Sequence, residues 1–103
     1  MNLFDEDYHK GSEKLKEASK EMVDAYKNYQ RTMIEKSPFG SKMNELILLS
    51  AACAIHCSYC IETHAARAKA AGATAEEIAM IIHMAASINH GATISYGVDA
   101  LKD

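Results

Sequence analysis

The chain has 103 residues, 49% of them apolar and 24% charged, a composition of one globular domain spanning 1–103 rather than a disordered segment. One proline and five glycines are too few turn-formers for an all-β fold, and a net charge of −3 gives no electrostatic basis for binding nucleic acid. No apolar run is long enough for a membrane span, and the first ten residues lack the basic-then-apolar order of a signal peptide. The expectation is therefore a cytoplasmic chain with no membrane contact, whose three cysteines serve chemistry rather than stapling.

Residues 1–36 hold seven Lys/Arg and eight Asp/Glu, against four and six in residues 41–103, and composition divides the chain near Pro38. Leu15, Ala18, Met22, Ala25, Tyr29 and Met33 recur at spacings of three or four, which predicts one long amphipathic helix over 1–36. Pro38 ends it, because the residue before a proline is pushed out of helical geometry. Ser41 is placed to cap a second helix through Leu46-Ile47-Leu48-Leu49. A third covers about 58–71, with Gly72 as its stop. Thr74-Ala75-Glu76-Glu77 reads as a capping box opening a fourth helix through Ile78, Ile81, Ile82 and Ala85. Asn89-His90-Gly91 breaks that pattern, and a short fifth helix is expected over about 92–101. The fold class is all-α. Helices this rich in Ala and Ile need cover on most faces, which one chain of this size lacks, so a homo-oligomer is expected.

The chemistry lies between Glu45 and His64. Cys57-Ser58-Tyr59-Cys60 is a C-x-x-C, and positions i and i+3 in a first helical turn are close enough to bridge. A helix N-terminus stabilises a thiolate. His64 follows Cys60 by four residues, one turn on and on the same face, where an imidazole can exchange a proton with a thiol. Zinc is the competing reading, since His56, Cys57, Cys60 and His64 are all ligand types. On a continuous helix Cys57 and His64 are roughly 10 Å apart, too far for one ion to reach all four. No metal or cofactor is therefore assigned. Two cysteines and a histidine can also simply fill a core, and Cys53, among alanines, reads that way. His83 and His90 read as packing or cap residues and His9 as surface.

Glu45, Cys57, Cys60 and His64 together, with Asn44-Glu45-Leu46-Ile47, Cys60-Ile61-Glu62-Thr63-His64-Ala65 and Ala71-Gly72-Ala73-Thr74-Ala75-Glu76-Glu77-Ile78, resemble the signature of the carboxymuconolactone decarboxylase/alkylhydroperoxidase D superfamily. The likeness covers about residues 41–98, and residues 1–36 carry no assignable signal. It implies an alkylhydroperoxidase D-like bundle of about five helices, assembled as a homo-oligomer, often a trimer or hexamer. It implies a thiol-dependent peroxidase or disulfide reductase acting on a small peroxide. In that pattern Cys60 is the thiol oxidised to a sulfenic acid and Cys57 the proton donor and resolving thiol. Glu45 and His64 form the proton relay, and a dithiol such as a lipoylated protein is the electron donor. Tyr59 departs from the histidine usual before the second cysteine. Alternatives are a decarboxylase-like enzyme of the same superfamily, whose branch generally lacks paired cysteines, and a non-enzymatic redox-sensing module. One tension remains in the residues themselves. On an unbroken helix Glu45 and Cys57 are roughly 18 Å apart. Either the chain breaks near 56–58 and folds back, as the resemblance implies, or the glutamate approaches from elsewhere; no glycine or proline marks such a break.

Overall fold

In the computed structural model, residues 6–103 are described, and the first five residues of the expected 1–36 helix, with the start of the ten read for a signal peptide, lie outside them. The described residues are helical with no strand: α1 (Glu6–Ala18), α2 (Lys20–Lys36), α3 (Ser41–Ala54), α4 (Ser58–Ala70), α5 (Ala75–Gly97) and a closing 3-10 turn, Val98–Leu101. The chain divides into two compact units, Met1–Pro38 and Phe39–Asp103, at the boundary that composition marks.

The first unit corrects the expectation of a single long helix. Ser19 interrupts it at φ −143° and ψ 47°, leaving α1 and α2. Its hydroxyl donates to the carbonyl of Leu15 at 2.6 Å, a serine back-bond of the kind that bends helices. Neither α1 nor α2 has a buried residue, and Leu15, Met22, Tyr29 and Met33 of the apolar stripe are exposed. α2 ends where proline requires, with Ser37 extended at ψ 133°.

In the second unit, α3 is the central element and packs against both α4 and α5. Leu46, Leu49 and Ala52, three residues apart, form its buried stripe, and Ala68 and Ala85 are the buried residues of α4 and α5, the two helices packed on it. Burial of each leucine contributes about 1.5–3 kcal/mol. Ser41 is not the cap of α3 but its first residue. Gly40 is the N-cap, with no side-chain cap bond. The capping box at α5 is as expected: the N–H of Glu77 donates to Oγ1 of Thr74, and the N–H of Thr74 to the Glu77 carboxylate.

α5 is one continuous helix of 23 residues, not two. Asn89 does not compete for its own backbone. Its side-chain amide instead donates to the carbonyl of Ala54 on α3 at 3.0 Å. Gly91 stays helical, a tolerable cost of about 1 kcal/mol inside a helix of this length. Among the described residues there are five α-helices, the number expected, but the first expected helix is split and the last two are fused.

Two ties fix the direction of α5. Lys42 pairs with Glu77 at 2.9 Å and Asn89 with Ala54 at 3.0 Å, each across 35 residues of sequence. Equal offsets at both ends mean that α3 and α5 run parallel and in register, and the chain returns from the end of α3 to the start of α5 through α4.

Candidate functional site

The site begins at the end of α3. The N–H of His56 donates to the carbonyl of Cys53 at 3.1 Å, and that of Cys57 to Ala52 at 3.0 Å. This is the paired bonding of a Schellman helix end, whose pivot residue is left-handed and usually glycine. Here the pivot is His56, at φ 58°. The end of α4 repeats the motif with glycine: Gly72, at φ 98°, donates to Lys69, and Ala73 donates to Ala68. Within three residues the chain thus reverses, which removes the tension of an 18 Å separation along one helix.

The reversal makes Cys57 the N-cap of α4, with Sγ accepting the N–H of Cys60 at 3.3 Å. Cys57 and Cys60 are joined as a disulfide, with Cα atoms 5.2 Å apart. A thiolate formed at this position faces a backbone amide and the positive end of the helix dipole, both of which stabilise its charge.

Folding α4 back on α3 also brings together two residues 19 apart. Nδ1 of His64 lies 2.6 Å from Oε2 of Glu45, and the two side chains are only 17% and 15% exposed. An ionised carboxylate can only accept, so His64 donates from Nδ1, which leaves Nε2 outside this contact. His64 sits one turn after Cys60 on the same helix. All four sequence-predicted site residues therefore lie on the facing helices α3 and α4 or at the corner between them. The arrangement can close and open a dithiol while an oriented imidazole moves the proton.

The side chains of the other candidates take no part in the Cys57–Cys60 bridge or the Glu45–His64 contact. Cys53 is a free, half-buried thiol. His9 is exposed as expected. His83 and His90 are exposed too, not packed, because α5 continues straight through and turns both to its outer face. Among the described residues no three of His, Cys, Asp and Glu are gathered for a metal ion. Sequence reasoning missed two residues of the site: His56, which gives no glycine-like signal, and Asn89. The one cue for Asn89 was a polar amide inside an otherwise apolar helical stretch.

On the side of α3 that faces α5 lies an open groove of about 830 Å³, lined by Met43, Ile47, Met80, Met84 and Ile88 among others. No helix among the described residues is long and apolar enough to cross a membrane.

A model of the carboxymuconolactone decarboxylase family matches residues 20–103, and so reaches back into α2, where the sequence reading found no signal. Among solved structures, a protein from Methanobacterium thermoautotrophicum determined as a structural-genomics target is similar, with a TM-score of 0.73 and 24% identity. The likeness covers 80% of this chain and 94% of that one, and at this identity it speaks to the fold alone. No curated protein matches the chain.

Proposed function

The chain belongs to the carboxymuconolactone decarboxylase family, and from that premise we propose a thiol-dependent peroxidase or disulfide reductase that cycles Cys57 and Cys60 between dithiol and disulfide. One observation carries the reading: a bridgeable cysteine pair at the start of α4, one turn from a histidine held by a half-buried glutamate. The cysteine pair favours redox chemistry over decarboxylation.

The cycle balances as follows. The Cys60 thiolate attacks the terminal oxygen of a peroxide, forms a sulfenic acid and releases an alcohol once the leaving oxygen takes a proton. The Cys57 thiolate then attacks the sulfenic sulfur, closes the disulfide and expels water. An external dithiol reduces that bond by two exchange steps and leaves as its own disulfide. His64, oriented by Glu45, carries the protons.

Peroxide consumption with a dithiol reductant tests this. Cys60→Ser is expected to abolish turnover, and Cys57→Ser to trap a sulfenic acid on Cys60, because its resolving partner is gone. A sulfenic acid on Cys57 in Cys60→Ser would reverse the roles. Native-like turnover in both variants would end the peroxidase reading.

Assembly belongs to the same proposal. Among the described residues the buried apolar ones are Leu46, Leu49, Ala52, Ala68 and Ala85, while Met80, Met84, Ile88 and Ile94 of α5 are exposed. A second copy covering that surface, in a trimer or hexamer, accounts for it. Light scattering that returned the monomer mass at micromolar concentration would refute this part.

A further inference from the structure

A helix leaves its last carbonyls without intrahelical partners, and a left-handed end satisfies only some of them. At the end of α3, Ile55 donates to Ala51, His56 to Cys53 and Cys57 to Ala52. The carbonyl of Ala54 is met from elsewhere: Nδ2 of Asn89, half-buried on α5, donates to it at 3.0 Å across 35 residues. Asparagine is a poor interior helix former, so it is this tertiary bond that suits it to the middle of α5. The bond falls three residues before Cys57.

We propose that Asn89 is a positioning residue for the redox pair. By holding the Ala54 carbonyl it fixes the left-handed corner that presents Cys57 as the cap of α4. The proposal rests on the reading of Cys57 and Cys60 as a cycling pair. In the oxidised protein the disulfide itself keeps the two sulfurs together. With that bond broken, the corner is what remains to keep Cys57 at the positive end of α4, where in the oxidised form its Sγ accepts the N–H of Cys60. Asn89 therefore acts mainly on the reduced protein: it preserves the stabilised thiolate of Cys57, and with it the rate at which Cys57 closes onto an oxidised Cys60.

The test is made on the full chain, reduced, with Asn89→Ala and Asn89→Asp. The aspartate is nearly isosteric, but once ionised it cannot donate to a carbonyl. Alkylation by iodoacetamide is followed against pH and resolved residue by residue by mass spectrometry. Disulfide closure is followed after a single equivalent of peroxide. In both variants the midpoint for Cys57 is expected to move up by roughly half a unit, the share due to the helix end. Closure is expected to slow severalfold with KM for peroxide unchanged, and Asn89→Gln, which keeps the amide, to recover part of both. If Asn89→Ala fails to fold, the aspartate and glutamine variants decide. Unchanged Cys57 alkylation and closure in Asn89→Asp, with only a lower Tm, would overturn the proposal and leave Asn89 a structural tie. Alkylation needs no peroxide turnover, so a chain that consumes no peroxide defeats the peroxidase reading alone.

Discussion

His56→Gly should make the protein more stable, an uncommon outcome for a mutation beside a candidate active site. The left-handed conformation costs an L-residue other than glycine roughly 1–2 kcal/mol. Glycine there relieves that strain but gives back about 0.5–1 kcal/mol through the greater freedom of its unfolded chain. The imidazole is exposed and makes no hydrogen bond or ion pair among the described residues, so little contact energy is lost. The balance is a gain of about 0.5–1 kcal/mol, equivalent to roughly 2–8 °C in Tm for a domain of this size. Gly72, in the same motif at the end of α4, is the internal precedent. Thermal unfolding by circular dichroism, at one protein concentration and one redox state, measures the change. His56→Val, which adds a β-branch at the same φ, should move Tm the other way. A glycine variant no more stable than the native chain would refute the strain argument. A more stable variant with slower thiol chemistry would mean that the imidazole is retained for the reaction.

Glu45→Gln and His64→Ala should each slow turnover, the latter by roughly 10²–10⁴-fold. Because they act through one 2.6 Å contact, the double variant should be little worse than His64→Ala, and additive losses in steady-state kinetics would show separate roles. Leu49 is 1% exposed, so Leu49→Ala should lower unfolding free energy in a denaturant titration by about 2–5 kcal/mol, and a loss below 1 kcal/mol would put the core elsewhere. The Glu77 carboxyl is held below its ordinary value by the N–H of Thr74 and, secondarily, by Lys42. A group whose folded pKa is lowered stabilises the fold fully above its unfolded pKa and loses that contribution as pH falls through the folded one. The Tm of the native chain should accordingly decline on acidification below the glutamate range, and Glu77→Gln should flatten that decline.

Local rules carried much of this structure, and they failed where distant residues intervened. Thr74 and Glu77 are three residues apart and form their box from local geometry, and Gly72 ends α4 by its own backbone freedom, so both are legible in one dimension. Glu45 and His64 were linked beforehand only by resemblance to a family. Their contact depends on a reversal at His56, where a histidine fills a place that sequence rules reserve for glycine. Asn89 failed in the opposite sense. Asparagine before His90-Gly91 reads as a break, yet its amide is spent on α3 and the helix runs on. Ser19 broke a stripe whose apolar period is unbroken, through one hydroxyl bond to Leu15 that periodicity does not register.

The bridge between Cys57 and Cys60 closes a loop of just four residues, three apart in number. A cross-link stabilises a fold largely by narrowing the ensemble of the unfolded chain, and that effect grows with the length of chain enclosed. For four residues the chain-entropy relation gives about 2 kcal/mol, against about 5 kcal/mol for a loop of 100. The bond is thus a light restraint on a fold held by α3, α4 and α5 through other means. A bond of that small worth can be made and broken without deciding whether the helices fold, so reversible thiol chemistry is compatible with the scaffold.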